Sequence, residues 1–242
     1  MTKRLLSDRL HYAARAGCCQ SRARRDDQSD RSEKVTVGPS ADPTPEVRPV
    51  AARARLLRAA VEAFAAKGFN GTTTRDIANG AQMSSAAVYV HFRSKEELLF
   101  EISDAGHRAI LAAIDDADDP SASPGDRLRA IFHAFTEHHA REHVGGRVVN
   151  YELNALAPDH LDTVMAMRRE ITRRVREIIE AGIARGDFDV ADSLATTNAM
   201  LSMGIDVARW YRDGGSLSPE EMGGFYAELA TRMVGWRPPV GG

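Results

Sequence analysis

Cysteine is almost missing from this chain, whose 242 residues contain only Cys18 and Cys19. Adjacent cysteines rarely bridge each other, and no other thiol is available to them. A disulfide framework is therefore excluded and a reducing compartment is expected. The pair fits no metal-site spacing. No apolar run reaches the ~18–20 residues that span a bilayer. The N-terminus lacks the apolar core of a signal peptide, so the expected location is the cytoplasm. Aromatic residues make up 6% of the chain, and no segment alternates for long with period two, which argues against a sheet. A glycine-rich phosphate loop, a G-x-S-x-G elbow and an H-E-x-x-H pair are all missing. The sequence thus reads as a non-enzyme without a cofactor.

What is present favours helices. Hydrophobic residues account for 43% of the chain, enough for a core, and alanine is abundant. The net charge of −2 hides an uneven distribution. Residues 1–50 carry 10 Lys/Arg and 7 Asp/Glu, residues 51–100 carry 7 and 4, and residues 101–242 carry 15 and 23. A basic front and an acidic rear direct any polyanion to the front. Residues 1–50 are polar, charged and dotted with Pro43, Pro45 and Pro49, and they are expected to form a disordered extension. Arg22, Arg24 and Arg25 make it either a basic arm or an inert tail.

From Ala51 the pattern turns helical. Leu57, Val61 and Phe64 form a stripe, with Leu56 and Ala60 beside it. Gly68 supplies a stop. Thr74 is placed as the N-cap of a short helix with Asp76 in its first turn. Ser84 caps a second short helix and Ser94 a long one over 95–117. Two helices of about seven residues are marginal alone, and hold only when packed on others. Ile77, Ala78, Ala81, Val88 and Phe92 can pack against Leu57, Val61, Phe64 and Leu98. This is the pattern of a helix-turn-helix whose second helix is free to enter the DNA major groove. Further helices are expected over 125–143, 145–156, 160–185, 191–211 and 218–235. The fold class is all-α with about nine helices: a helix-turn-helix domain over 51–98 and a second helical domain over 99–242.

The stretch "AAVEAFAAKGFNGTTTRDIANGAQMSSAAVYVHFRSKEELL" resembles the DNA-binding domain of TetR/AcrR-family transcriptional regulators. Its T-x-x-x-I-A core, S-x-x-x-x-Y-x-H-F turn and S-K-E-E-L start of the fourth helix occur in order at that family's spacing. The resemblance implies a homodimer that binds a double-stranded DNA operator and answers to a small-molecule effector. Carried over by position, Thr74 and Arg75 open the second helix near a phosphate. Ser84 caps the third, Ser85, Ala86 and Ala87 face bases, and Tyr89, His91 and Lys95 clamp the backbone. The family usually has Gly where this chain has Gln82. A left-handed residue there costs about 1 kcal/mol.

The resemblance also assigns dimerisation to the last two helices. Their stripe of Met200, Met203, Val207, Trp210, Phe225, Leu229 and Met233 suits either a helix–helix interface or the subunit core. "EAGIARGDFDVAD" and "VARWYRDGGSLSPEEMGGFYAELATRMV" are similar to the effector domain of actinobacterial repressors of lipid and sterol-ring catabolism. That similarity implies an acyl-CoA thioester as effector. An apolar slot is expected from Phe132, Phe135, Val148, Tyr151, Leu153, Met165 and Met167, with Arg147, Arg168 and Arg169 for phosphates or for solvent. A multidrug or efflux-type repressor sensing aromatic or cationic compounds is the alternative, and a helical interaction scaffold a remoter one. His133, His138, His139 and His143 lack the partners of a metal site, so no metal is expected and they are placed beside the cavity.

Overall fold

In the computed structural model, the description covers residues 47–237. Nine α-helices lie among them: α1 (Val47–Gly71), α2 (Thr74–Gly80), α3 (Ser85–His91), α4 (Lys95–Ala117), α5 (Pro124–Arg141), α6 (His143–Tyr151), α7 (Pro158–Arg185), α8 (Ser193–Trp210) and α9 (Pro219–Met233). A short 3-10 turn, Leu153–Ala155, joins α6 to α7. No strand occurs among the described residues, and none of their helices is long and apolar enough to cross a membrane. The expected N-terminal extension lies outside the described residues except at its end, because α1 already begins at Val47.

Caps set most of the helix starts. Ser84, Ser94, Ser123, Asp192 and Ser218 each accept a first-turn backbone N–H. Each such bond stabilises its helix by about 1 kcal/mol. The cap of α2 is Thr73, one residue before the expected Thr74. Thr73 accepts from the Asp76 N–H while the Asp76 carboxylate accepts from the Thr73 N–H, and only a residue three before Asp76 can close that reciprocal pair. Lys67 adds an ion pair to Asp76 at 2.7 Å. These bonds hold the Asp76 carboxyl well below the usual carboxylate range, the Lys67 contact first among them.

The helices bury two main cores. One joins α1, α2, α3 and the first half of α4 through Leu56, Phe64, Ile77, Val88, Phe92 and Leu98. Val148, Val149 and Val164 extend it into α6 and α7. The other lies between α4, α5, α7, α8 and α9, around Ile114, Phe132, Ile178, Met200 and Ala230. Helix α4 therefore belongs to both. On α1 the expected stripe is rotated: Leu56, Ala60 and Phe64 are buried, while Leu57 and Val61 stay partly open. Gly125 must be glycine, because a Cβ there would come within 1.9 Å of the Trp236 ring.

At the turn between α2 and α3, Gln82 has φ 56°, the one positive φ outside glycine among the described residues. Gln82→Gly should therefore raise stability by about 0.5 kcal/mol, the relief of left-handed strain less the added freedom of the unfolded chain. Urea midpoints of the two proteins measure it. A lower midpoint for the glycine variant would mean that the side chain holds the turn.

Candidate nucleic-acid interface and effector cavity

Helix α3 is pinned by one buried side chain, Val88, and by Phe92 just beyond it. Everything else on it is at least partly open, including Ser85, Ala86, Ala87, Tyr89 and His91. Thr74 and Arg75, at the start of α2, are also accessible. The structure brings Thr74 Oγ1 and Tyr89 Oη within 3.3 Å, so two of the expected phosphate-contacting hydroxyls form one cluster. Ser84 holds the helix start by accepting from the Ala87 N–H. Val90, which sequence reasoning passed over, is 79% exposed.

Lys95 has an internal role that the sequence did not reveal. Its ammonium donates to the Phe69 and Thr72 carbonyl oxygens at 2.6 and 2.8 Å and lies 4.1 Å from the centre of the Phe69 ring. It bonds one carbonyl just inside and one just past the end of α1, beside the break that Gly68 makes at φ 71°. Two of its three N–H groups are used, which leaves one for a phosphate. Lys95→Ala is expected to lower unfolding free energy by about 2 kcal/mol, the loss of two charge-assisted bonds. It should also reduce the salt slope of DNA binding by ~1. Unchanged melting would show that the two carbonyl bonds contribute nothing.

A cavity of about 890 Å³ opens between α1, α4, α5, α6, α7 and α8. Its apolar wall includes Leu57 and Val61 of α1, Ile102 and Ile110 of α4, Phe135 of α5, and Leu201 and Ile205 of α8. Leu57 and Val61 also pack on the α1–α4 core. Whatever fills the cavity therefore touches the helix-turn-helix support directly. The rim carries exposed charges of both signs: Arg58, Glu62, Arg141, Glu142 and Asp213. Glu101, also on the wall, is paired with Arg53 at 2.6 Å.

Deeper in, one cation stands out. Arg168 is half-buried, and its bond in the structure is to the Asn150 side-chain oxygen at 3.3 Å, with no carboxylate partner among the described residues. Burial pushes its pKa down. Around it are His107, His138, His139 and His143. In His107 and His139 the Nδ1–H donates to a backbone carbonyl of the same helix, at 2.8 and 2.7 Å, and in His143, at the start of α6, to the Ala140 carbonyl near the end of α5, at 3.1 Å. A carbonyl only accepts, so the neutral ring carries its proton on Nδ1 and leaves Nε2 as an acceptor. Burial lowers the pKa of His107 and His138, and that of His139 to about 4.

Of the expected slot residues, Phe135 and Arg168 line this cavity. Phe132 and Val148 do not, because they are buried in the two cores. Leu153 and Met167 pack on the α1–α4 core, Met165 faces outward, and Arg169 is exposed. Arg147 and Tyr151 line a smaller pocket of about 240 Å³ that shares Asn150, Arg168, Ser202 and Ile205 with the larger one. His133 sits apart, 3.7 Å from Glu137. Sequence reasoning missed His107, whose place on the buried face of α4 was the available signal.

The neutral histidines make acid lability measurable. With a folded pKa near 4 against an ordinary 6.5, His139 binds fewer protons folded than unfolded between those values. Stability is thus full above pH 6.5 and is lost as pH falls toward 4, by on the order of 3 kcal/mol. Paired carboxylates such as Asp76 and Glu170 work in the same direction but at lower pH, so a comparison at pH 7 and 5 isolates the histidines. His139→Gln should flatten that part of the stability curve in urea titrations. An equally steep decline in the variant would remove His139 as its cause.

Residues 56–102 match the model of the bacterial regulatory proteins of the tetR family, and residues 121–234 match the tetracyclin repressor-like C-terminal domain. The chain is 35% identical over 184 residues to the HTH-type transcriptional repressor KstR2 of Mycobacterium tuberculosis, covering 73% of this chain and 90% of that protein. Among solved structures, a bacterial regulatory protein in the tetR family from Rhodococcus RHA1 superposes with a TM-score of 0.73 at 44% identity, covering 77% of this chain and 98% of that one. The ketosteroid transcriptional regulator KstR2 of Mycobacterium tuberculosis superposes with a TM-score of 0.68 at 29% identity, covering 74% and 92%.

Proposed function

The chain belongs to the TetR family of bacterial regulatory proteins, and from that premise we propose that it is a cytoplasmic repressor, not an enzyme, released from its operator by an apolar acid. The operator is a near-palindrome bound by a homodimer, with half-sites about one helical turn or a multiple apart. The effector is an acyl-CoA thioester. The observation that carries this reading is the cavity itself, with an apolar wall that includes α1 and α4 and one half-buried cation without a carboxylate partner among the described residues. Such a site selects an apolar body with an anionic group. The neighbouring Arg147 pocket offers room for more of a nucleotide-bearing head. Likeness to a ketosteroid regulator supports the lipid side of the reading.

Release works by differential affinity. A ligand that fills the cavity only when α1 and α4 are displaced favours the state in which the two reading heads no longer fit the operator. The test begins with an operator selected from random DNA. Its complex is then titrated with acyl-CoA thioesters, the matching free acids and coenzyme A alone, read by fluorescence anisotropy. Thioesters should release the DNA and coenzyme A should not. Release by cationic drugs or planar aromatics alone would replace the lipid reading with a multidrug one.

A further inference from the structure

Helix α3, SAAVYVH, holds no Arg, Lys, Asn or Gln. The side chains that read purines by paired hydrogen bonds are therefore missing from the helix that enters the groove. Its fully exposed residues are Ala86, Tyr89 and Val90, with Ser85 and His91 only partly open. Val90 is 79% exposed, the most open of the large apolar side chains of the described residues. Ala86 is also exposed, and lies on the same face four residues earlier. Tyr89 beside them is tied through its hydroxyl to Thr74 at the start of α2. An isolated exposed valine needs no explanation. This one sits on a face set opposite Val88, the residue that buries the helix, and so points where the DNA must lie.

We infer that Val90 is a specificity-determining residue that reads a thymine, its methyls packing on the 5-methyl group in the major groove, with Ala86 making the same contact on a neighbouring base. Thymine is the one base that presents an apolar group in that groove. Ala86 and Val90 are four residues apart, about 6 Å along the helix, or roughly two base-pair steps of 3.4 Å. Each half-site therefore carries a thymine opposite Val90, and a second one about two positions away opposite Ala86. Hydroxyls, not charged groups, supply what polar readout the helix has, through Ser85.

The contact is tested by removing one methyl at a time from the DNA. A preferred site is selected from a random pool, and each thymine of the half-site is replaced in turn by uracil, which keeps its pairing and loses only the 5-methyl group. For the full-length protein, one position should weaken binding about fourfold per half-site, the worth of one buried methyl. In Val90→Ala the same substitution should have little effect. Since Val90 is exposed, that variant keeps its fold, and melting curves verify it. A 5-methylcytosine at the same position should restore affinity to a cytosine-substituted site. Uracil tolerated everywhere, or an equal loss in the protein and in Val90→Ala, overturns the inference while leaving DNA binding intact. A selection that returns no preferred sequence overturns it together with the DNA-reading role of α3.

Discussion

Replacing Trp210 and Phe225 together by aspartate is expected to leave a folded monomer that binds the operator at least a hundredfold more weakly. Both side chains are open in the single subunit, at 43% and 56%, and Met233 is 40% exposed on the same helix as Phe225. Met200 and Val207, from the same sequence stripe, are fully buried in the subunit, and Val207 packs near Tyr211, Met222 and Tyr226. The stripe thus divides into a part that holds α8 and α9 in the fold and a part left about half open in the subunit. In the proposed homodimer these half-open aromatics on the last two helices anchor the second copy, each removing about half of the ~150–250 Å² that a fully buried aromatic hides. Two reading heads held together gain ~10²–10⁴ in affinity from effective concentration alone. Two buried aspartates facing their counterparts would abolish that pairing. Sedimentation at micromolar concentration and anisotropy with operator DNA measure the two effects. A double variant that still sediments as a dimer would place the interface elsewhere.

The reading head was legible because its chemistry is local. Ser84 and Ser94 could be placed as caps from the sequence alone, and the family resemblance, which puts Gly where this chain has Gln82, pointed to the turn that is left-handed in the structure. Thr73 was harder, since Thr72, Thr73 and Thr74 offer equivalent hydroxyls and only the Asp76 bond separates them. Long-range contacts left no such trace. The Lys95 ammonium reaches carbonyls 23 and 26 residues away, and nothing around Lys95 in sequence announces that.

The cavity was the least legible part. Helical periodicity says that a residue turns inward, but not whether it meets a neighbour or empty space. Phe132 and Phe135 are three apart on α5 and both buried, yet only Phe135 reaches the cavity. Histidines raised a metal reading because their spacing was visible while their backbone bonds were not. The Nδ1–H bonds of His139 and His143 direct those protons at carbonyls, and the rings become part of the cavity wall. Arg168 was named together with its neighbour Arg169 and with Arg147 of α6. Arg173 and Arg174, on the same helix as Arg168, are neutralised by Glu170, whereas Arg168 is not.

Arg168→Met is expected to cut the potency of a releasing thioester by roughly 10- to 100-fold while operator affinity in the absence of effector stays as it was. Among the described residues the guanidinium is the one cation in the interior of the cavity, and a charge-assisted bond to a ligand anion is worth about 1.5–3 kcal/mol. The same substitution should not destabilise the fold. Arg168 bears a desolvation penalty that lowers its pKa and has no carboxylate to offset it, and methionine keeps most of its apolar stem. A stability gain with a loss of response is the signature of a charge kept for a ligand, because a purely structural arginine would lose stability when removed. Arg168→Lys should recover only part of the potency, since an ammonium cannot make the paired contacts of a planar guanidinium. A hundredfold release of DNA needs about 2.7 kcal/mol of coupling between cavity and reading head, so a tenfold weaker grip on the effector shifts the release curve without changing its plateau. Titration of the operator complex in the three proteins, beside their urea midpoints, separates these outcomes. If Arg168→Met released DNA at the same thioester concentration as the parent protein, the anion would lie elsewhere, and the Arg147 pocket would be the next place to substitute.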